Sequence, residues 1–125
     1  MLHAPADFSP IPIIRSNMQD ASQPQQTDML GLSIVVPCFN EEPGLAELVR
    51  RCCESATSAV GDSFELILVD DGSSDGTWDA IASQIACYPN IVAIKLSRNY
   101  GHQIALTAGL SAVRGRIVLV IDADL

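Results

Sequence analysis

Four short aliphatic runs, each closed by a polar or glycine-bearing loop and separated from the next by a segment of helical period, leave this chain few folds to adopt. "LSIVVP" (residues 32–37), "FELILVD" (64–70), "IVAIKLS" (91–97) and "IVLVI" (117–121) are rich in β-branched residues. The first is the signature of a strand buried on both faces, and the other three read as further strands of the same core. Pro37 ends the first run. Between the first two runs, Leu45, Leu48, Val49, Cys52 and Ala56 fall at i, i+3, i+4, i+7 and i+11, the stripe of an amphipathic helix. Trp78, Ile81, Ala82 and Ile85 repeat that spacing, with Asp75 or Thr77 placed to cap the helix start and Trp78 in the core. "GHQIALTAGLSAVRG" is apolar nearly all round (Ile104, Leu106, Leu110, Val113). It predicts a buried helix stopped by Gly115, with His102 at its start read first as a cap and second as a residue facing the ligand. The order βαβαβαβ with short connections demands a parallel sheet covered on both faces by right-handed crossovers, a Rossmann-like α/β architecture.

The first 30 residues read differently. They carry four prolines among Gln, Ser and Asp without an apolar period, and "SPIPII" is too broken by proline for a helix. Residues 1–30 are expected to be a disordered leader without a role in the fold, and residues 31–125 to form one incomplete domain.

Composition narrows the function classes. Seven basic residues stand against 15 acidic ones, a formal charge of −8, which argues against a nucleic-acid partner. The four cysteines, Cys38, Cys52, Cys53 and Cys87, include no C-x-x-C pair. They read as small core residues in a reducing compartment. No run approaches the ~18 apolar residues of a membrane span, and the start lacks the features of a signal peptide. A cytoplasmic setting follows as the expectation.

In open α/β sheets ligands bind beyond the carboxyl ends of the strands. That rule selects the loops starting at Pro37, Asp70, Ser97 and Asp122. Neither G-x-G-x-x-G nor G-x-x-x-x-G-K-[ST] occurs, so the usual amide cradle for phosphates is missing. Asp122 and Asp124, two apart at a strand tip, would share a face and suit a hard cation such as Mg²⁺ or Mn²⁺ beside ligand phosphates. "DDGSSDG" is not an EF-hand, because position 12 counted from Asp71 is Ala82 and no helix precedes it. As ionised carboxylates, Asp70 and Asp71 are acceptors suited to ribose hydroxyls or a base N–H. Nothing marks Cys38 as a nucleophile, and Tyr100 is left open between stacking and packing.

Taken in order and spacing, "SIVVPCFNEE", "LILVDDGSSDGT", "LSRNYGHQIALTAGL" and "RGRIVLVIDADL" resemble the family 2 glycosyltransferases, with the polyprenyl-phosphate branch nearest. The resemblance implies a GT-A fold and the following roles. Pro37, Phe39, Asn40 and Glu41 line the nucleotide base and ribose. Asp70, Asp71 and Gly72 bind the base edge and ribose, and Arg98, Asn99 and Gly101 approach the nucleotide-sugar. Asp122, Ala123 and Asp124 form the D-x-D motif, whose two aspartates hold the metal and are the catalytic pair. The implied reaction is metal-dependent, inverting transfer from a nucleotide-sugar, UDP-linked ahead of GDP-linked, to a polyprenyl phosphate at the cytoplasmic side of the membrane, in cell-envelope glycan synthesis. Transfer to a sugar hydroxyl in a polysaccharide is the alternative within the family. An inactive nucleotide-binding fragment is the alternative outside it, since the family's acceptor half follows "DADL".

Overall fold

The computed structural model describes residues 13–15 and 29–124. Its elements run β1 (Ile13–Arg15), β2 (Leu30–Cys38), a 3₁₀ turn (Glu42–Gly44), α1 (Leu45–Val60), β3 (Phe64–Asp70), α2 (Thr77–Ile85), β4 (Ile91–Lys95), α3 (His102–Leu110) and β5 (Gly115–Val120). The sheet order is β1-β4-β3-β2-β5. Strands β2 to β5 are parallel, as the alternation of elements requires, while β1 joins β4 antiparallel, Ile14 opposite Ala93. That edge strand brings residues 13–15 of the expected leader into the sheet. Three residues are too short for a periodic signal, and their place depends on a partner about 80 residues away. Residues 1–12 and 16–28 of that segment lie outside the described residues, and Leu30 already opens β2.

Alternation within the strands sorts the core into two layers. Ile34, Val36, Leu66, Leu68 and Ala93 meet α1 and α2 on one face, and Val35, Ile67, Val69, Val92 and Ile94 meet α3 on the other. The predicted stripe of α1 is buried throughout, and Gly61 at positive φ ends that helix. In α2, Ile81 is buried and Trp78 packs at the rim of the core. Ala82 faces outward and Ala80 takes its place against the core.

Helix α3 departs further from the sequence reading. Its buried face is Ala105, Ala108 and Gly109, so the contact with the sheet is made by small residues while Leu110 is 40% exposed. A Cβ on Gly109 would stand 2.5 Å from Val35 Cγ1, which shows how closely this helix lies on β2. The helix ends before Gly115, which opens β5 instead of stopping α3 and is pressed against the backbone of Leu32 and Ser33.

The chain turns from β4 back across β2 to reach β5. The strand order therefore reverses between β2 and β5, and at such a switch point a crevice opens beyond the strand ends. Ile121 donates its N–H to the Val35 carbonyl at 3.0 Å. Pro37, two residues on and facing the same way, has no N–H to carry the β2–β5 ladder further. Strand β5 is paired on one edge and its apolar side chains lie open, Ile117 at 61% exposure.

A buried polar cluster that the sequence reading passed over fixes the far end of this strand. Ser33 Oγ donates to Glu65 Oε2 at 2.7 Å, and the N–H groups of Arg114 and Gly115 donate to Glu65 Oε2 and Ser33 Oγ at 2.7 and 2.8 Å. Glu65 is 2% exposed and also meets the Arg114 guanidinium, Nε to Oε1 3.4 Å. A carboxylate inside a β-branched run gives no sign in sequence that its acceptors will be used by a strand 50 residues on.

Candidate functional site

The carboxyl ends of β2, β3 and β4 and the start of α3 enclose a cleft of about 220 Å³. Pro37, Cys38 and Phe39 come from the end of β2, Asp71 from beyond β3, and Asn99, Gly101 and His102 from the loop between β4 and α3. Five of the residues singled out in sequence thus share one cavity: Pro37, Phe39, Asp71, Asn99 and Gly101. Cys38 was not among them, and for His102 the ligand-facing reading stood second to a cap. Their position inside the same motifs is the only signal that could have suggested them.

Hydrogen bonds between side chains and backbone tie three of the four loops together. Asn40, at positive φ, accepts at Oδ1 from the N–H of Ser74 (2.8 Å) and of Asp75 (3.3 Å), and its own N–H donates to Ser73 Oγ at 2.9 Å. Glu41 N–H donates to Thr77 Oγ1 at 2.9 Å, and Gly76 N–H donates to Glu42 Oε1 at 2.9 Å. The loop after β2 is thereby fastened to the loop after β3. Asp70, 1% exposed, turns back to accept from Ser73 N–H at 3.1 Å. Neither Asn40 nor Asp70 lines the cleft; both hold the loops that do.

Asp71 makes the second fastening. Its carboxylate accepts from Tyr100 N–H (Oδ1, 2.8 Å), Gly101 N–H (Oδ2, 3.1 Å) and Asn99 Nδ2 (Oδ2, 3.3 Å). The same Asn99 amide donates to the Asp71 carbonyl at 3.0 Å, and Asp71 N–H donates to the Cys38 carbonyl at 2.8 Å. Burial raises the Asp71 pKa above the ordinary carboxylate range, the N–H donors of Tyr100 and Gly101 oppose that rise, and the neighbouring Asp70 charge adds to it. The Cys38 thiol is pushed far up by burial and then by the charges of Asp70 and Glu41, so it stays protonated and is not a nucleophile.

One of the two helix starts differs from expectation. Gly101 is the residue before α3 and no side chain caps that helix; His102 is its first residue and opens onto the cleft instead. At α2 the cap comes from Asp75, whose Oδ1 accepts from Thr77 N–H at 3.0 Å, with Gly76 between them. Tyr100 does both: it packs half-buried against the core layer under α3, the Arg98 guanidinium lies over its ring at 5.0 Å, and its hydroxyl is 3.0 Å from Ser97 Oγ. Cys87 is exposed, contrary to the reading of all four cysteines as core residues, whereas Cys38, Cys52 and Cys53 are buried.

The fourth loop continues β5. Ala123 is turned into the core, and Asp122 and Asp124 on either side of it are exposed. Among the described residues no group of three or more His, Cys, Asp or Glu side chains converges on one point. The two aspartates therefore fit a hard divalent ion only if a ligand and water complete its shell, which is how Mg²⁺ is commonly held on phosphates. The cations at this end of the sheet, Lys95 and Arg98, each lie over an aromatic ring, Lys95 Nζ 5.5 Å from that of Trp78. With Glu41, Asp70, Asp71, Asp122 and Asp124 nearby, a diphosphate here would need an added positive charge.

Comparison with known proteins agrees with this architecture. The model of the family described as glycosyl transferase family 2 matches residues 33–125. An undecaprenyl-phosphate 4-deoxy-4-formamido-L-arabinose transferase of Pseudomonas paraeruginosa is 44% identical over 97 residues, covering 75% of this chain and 28% of that protein. The transferase of the same name from Salmonella paratyphi B is 43% identical over 96 residues, covering 75% and 29%. The chain thus spans less than a third of the length of these curated relatives. Among solved structures, the mannosyltransferase PcManGT from Pyrobaculum calidifontis, in complex with GDP-Man and Mn²⁺, superposes with a TM-score of 0.69 at 25% identity over 97% of this chain and 31% of its own. S. aureus TarS 1–349, in complex with UDP-GlcNAc, gives 0.64 at 25% identity over 76% and 27%. No helix among the described residues is long and apolar enough to cross a membrane.

Proposed function

This chain belongs to glycosyl transferase family 2, its fold is that of the GT-A glycosyltransferases, and from that membership we propose that its cleft receives the nucleotide of a sugar-nucleotide donor. In this reading Pro37, Phe39, Asp71, Asn99 and Gly101 surround the base and ribose, with Asn40, Glu41, Asp70 and Gly72 shaping the loops behind them. Asp122 and Asp124, flanking Ala123, hold Mg²⁺ or Mn²⁺ at the donor diphosphate. When bound, such an ion supplies charge neutralisation for the departing nucleoside diphosphate. Arg98 adds a second cation within the same loop cluster.

The observation that supports this reading is a cleft at the carboxyl ends of β2, β3 and β4, with two exposed carboxylates at the tip of β5, the strand that pairs with β2. Support for the acceptor comes from the names of the curated relatives, which act on undecaprenyl phosphate. In the full-length protein we place the reaction at the cytoplasmic face of the membrane, with a polyprenyl phosphate as acceptor and glycan synthesis for the cell envelope as its setting. A phosphate monoester has its second pKa near ~6. The acceptor is thus already an ionised nucleophile at neutral pH, and a neutral Cys38 and a hydrogen-bonded Asp71 need not serve as general base. Direct displacement by that phosphate inverts the anomeric centre.

Of the nucleotides, UDP is the expected one. Parallel titrations of UDP and GDP into the 125-residue chain, with Mn²⁺ and with EDTA, test the reading. Mn²⁺-dependent binding with UDP the tighter ligand is expected; a preference for GDP would overturn the donor assignment, and binding of neither would overturn the nucleotide site.

A further inference from the structure

Resting on the reading of Asp122 and Asp124 as the metal-holding pair, we infer that Ser33 and Glu65 are positioning residues for that pair, acting through the register of β5 on β2. Both lie towards the amino ends of their strands, on the sheet face that Val35 and Ile67 present to α3. Gly115, which they hold, is seven residues from Asp122, about 23 Å of extended chain. The cluster therefore touches no ligand at the strand tips and can act on one only through the strand between.

Strand β5 needs such a hold. The difference between a strand's two faces normally sets its register, and β5 has little of it. Residues 117–121 are aliphatic on both faces, Arg116 to Val120 are exposed, and β2 is the one strand beside β5. A slip of two residues would keep every side chain on its own face, exchange one aliphatic contact for another and carry Asp122 about 6.6 Å along β2. The polar cluster opposes that slip in two ways. Its acceptors are directional: Arg114 N–H meets Glu65 Oε2 at 2.7 Å, Gly115 N–H meets Ser33 Oγ at 2.8 Å, and the Ser33 hydroxyl is itself held by Glu65 Oε2 at 2.7 Å. Its shape admits only glycine, since a Cβ at residue 115 would stand 2.6 Å from the Ser33 nitrogen and 2.7 Å from the Leu32 carbonyl carbon. A slip of two in either direction would bring Val113 or Ile117 to that place, and neither fits. Fixing alignment is the best-attested use of a buried polar group, and here the aligned strand is the one that ends in the two aspartates.

Glu65→Ala removes the acceptor while Glu65→Gln keeps a carbonyl oxygen for Ser33 and Arg114, so the two variants separate the bonds from the presence of a side chain. Cross-strand NOEs on the 125-residue chain read the register, because Val35 lies opposite Val120 on one side and opposite Ile67 on the other. Glu65→Ala is expected to lose the Val35–Val120 NOEs and keep the Val35–Ile67 ones, and Glu65→Gln to keep both. Val35–Val120 NOEs that persist in Glu65→Ala would overturn the inference. If Glu65→Ala does not fold, Ser33→Ala carries the same comparison, since Glu65 keeps its bond from Arg114 there; loss of both sets of NOEs in Ser33→Ala would make the cluster a prop of the whole sheet and overturn its positioning role. These readouts need no ligand, so they decide the inference even if wild type binds no UDP and the donor reading fails. Titration of UDP with Mn²⁺ and with EDTA adds the functional half. The cleft is walled by the ends of β2, β3 and β4 and by α3, so Glu65→Ala is expected to weaken binding about tenfold or more in Mn²⁺ and to leave any binding in EDTA as in wild type, with Glu65→Gln close to wild type in both. Equal losses in Mn²⁺ and EDTA would show a general loosening and overturn the inference.

Discussion

Gly72 lies so close to Asn99 that a Cβ on the glycine would stand 2.1 Å from the Asn99 backbone nitrogen and 2.2 Å from the Arg98 carbonyl carbon. The two loops that carry the Asp71 bonds are therefore in backbone contact, and the contact exists only because residue 72 has no side chain. Gly72 also sits at φ 68°, where a Cβ adds strain of its own. Gly72→Ala is expected to lower stability by about 2–4 kcal/mol, read as a shift in the urea midpoint, and to weaken nucleotide binding by displacing residues 98 and 99. An unaltered midpoint would show that the loops part without cost.

Asn40 separates two effects that a single substitution would confound. Asn40→Gly relieves the positive φ and removes the bonds to Ser74 and Asp75, whereas Asn40→Ala removes the bonds and keeps the strain. The alanine variant is expected to be the less stable by about 1 kcal/mol, and both should fall below wild type in chemical denaturation. Equal midpoints for the two variants would remove backbone strain from the account.

How far these relationships were legible in the sequence follows from their range. The β-branched runs and the stripe of α1 act within a few residues, so four strands and the first helix stand where their patterns put them. Asn40 to Ser74 and Asp71 to Tyr100 span about 30 residues each and depend on how neighbouring strand ends align. The motifs announced that these residues mattered without telling ligand from strut. His102 was misjudged because the cap rule looks only along the helix, and here the side chain opens onto a cleft formed by two other loops. Gly115 was misjudged because a glycine after a helical pattern reads as a stop, whereas this one is required by the backbone of β2.

Glu65 should be the costliest polar residue to remove. Glu65→Ala takes the buried acceptor from Ser33 Oγ and leaves the Arg114 N–H only the longer bond to Ser33 Oγ at 3.3 Å, and is expected to destabilise by about 3 kcal/mol. Arg114→Ala should cost much less, since its side chain is half exposed and its N–H still donates. A larger loss for Arg114→Ala in paired thermal melts would reverse the assignment.

Acid should loosen the start of α2. The hydroxyl and N–H of Thr77, with the N–H of Glu42, hold the Asp75 carboxyl below its ordinary range. A folded pKa below the unfolded one contributes stability that is present above the unfolded value, about 3.9, and lost as pH falls towards the folded value. Between about pH 5 and 2, wild type should lose stability more steeply than Asp75→Ala. Parallel curves would mean that the cap contributes nothing.

The central claim is that the tip of β5 and the cleft beside it form one donor site. Calorimetric titration of UDP into the 125-residue chain, with Mn²⁺ and with EDTA, tests it most directly when repeated on Asp122→Ala and Asp124→Ala. Both side chains are exposed, so neither variant should change the thermal midpoint appreciably, by the rule that surface substitutions shift stability by about 0.5 kcal/mol or less. Each is predicted to abolish the Mn²⁺-dependent part of binding. Titration curves that match wild type in both variants would contradict the account.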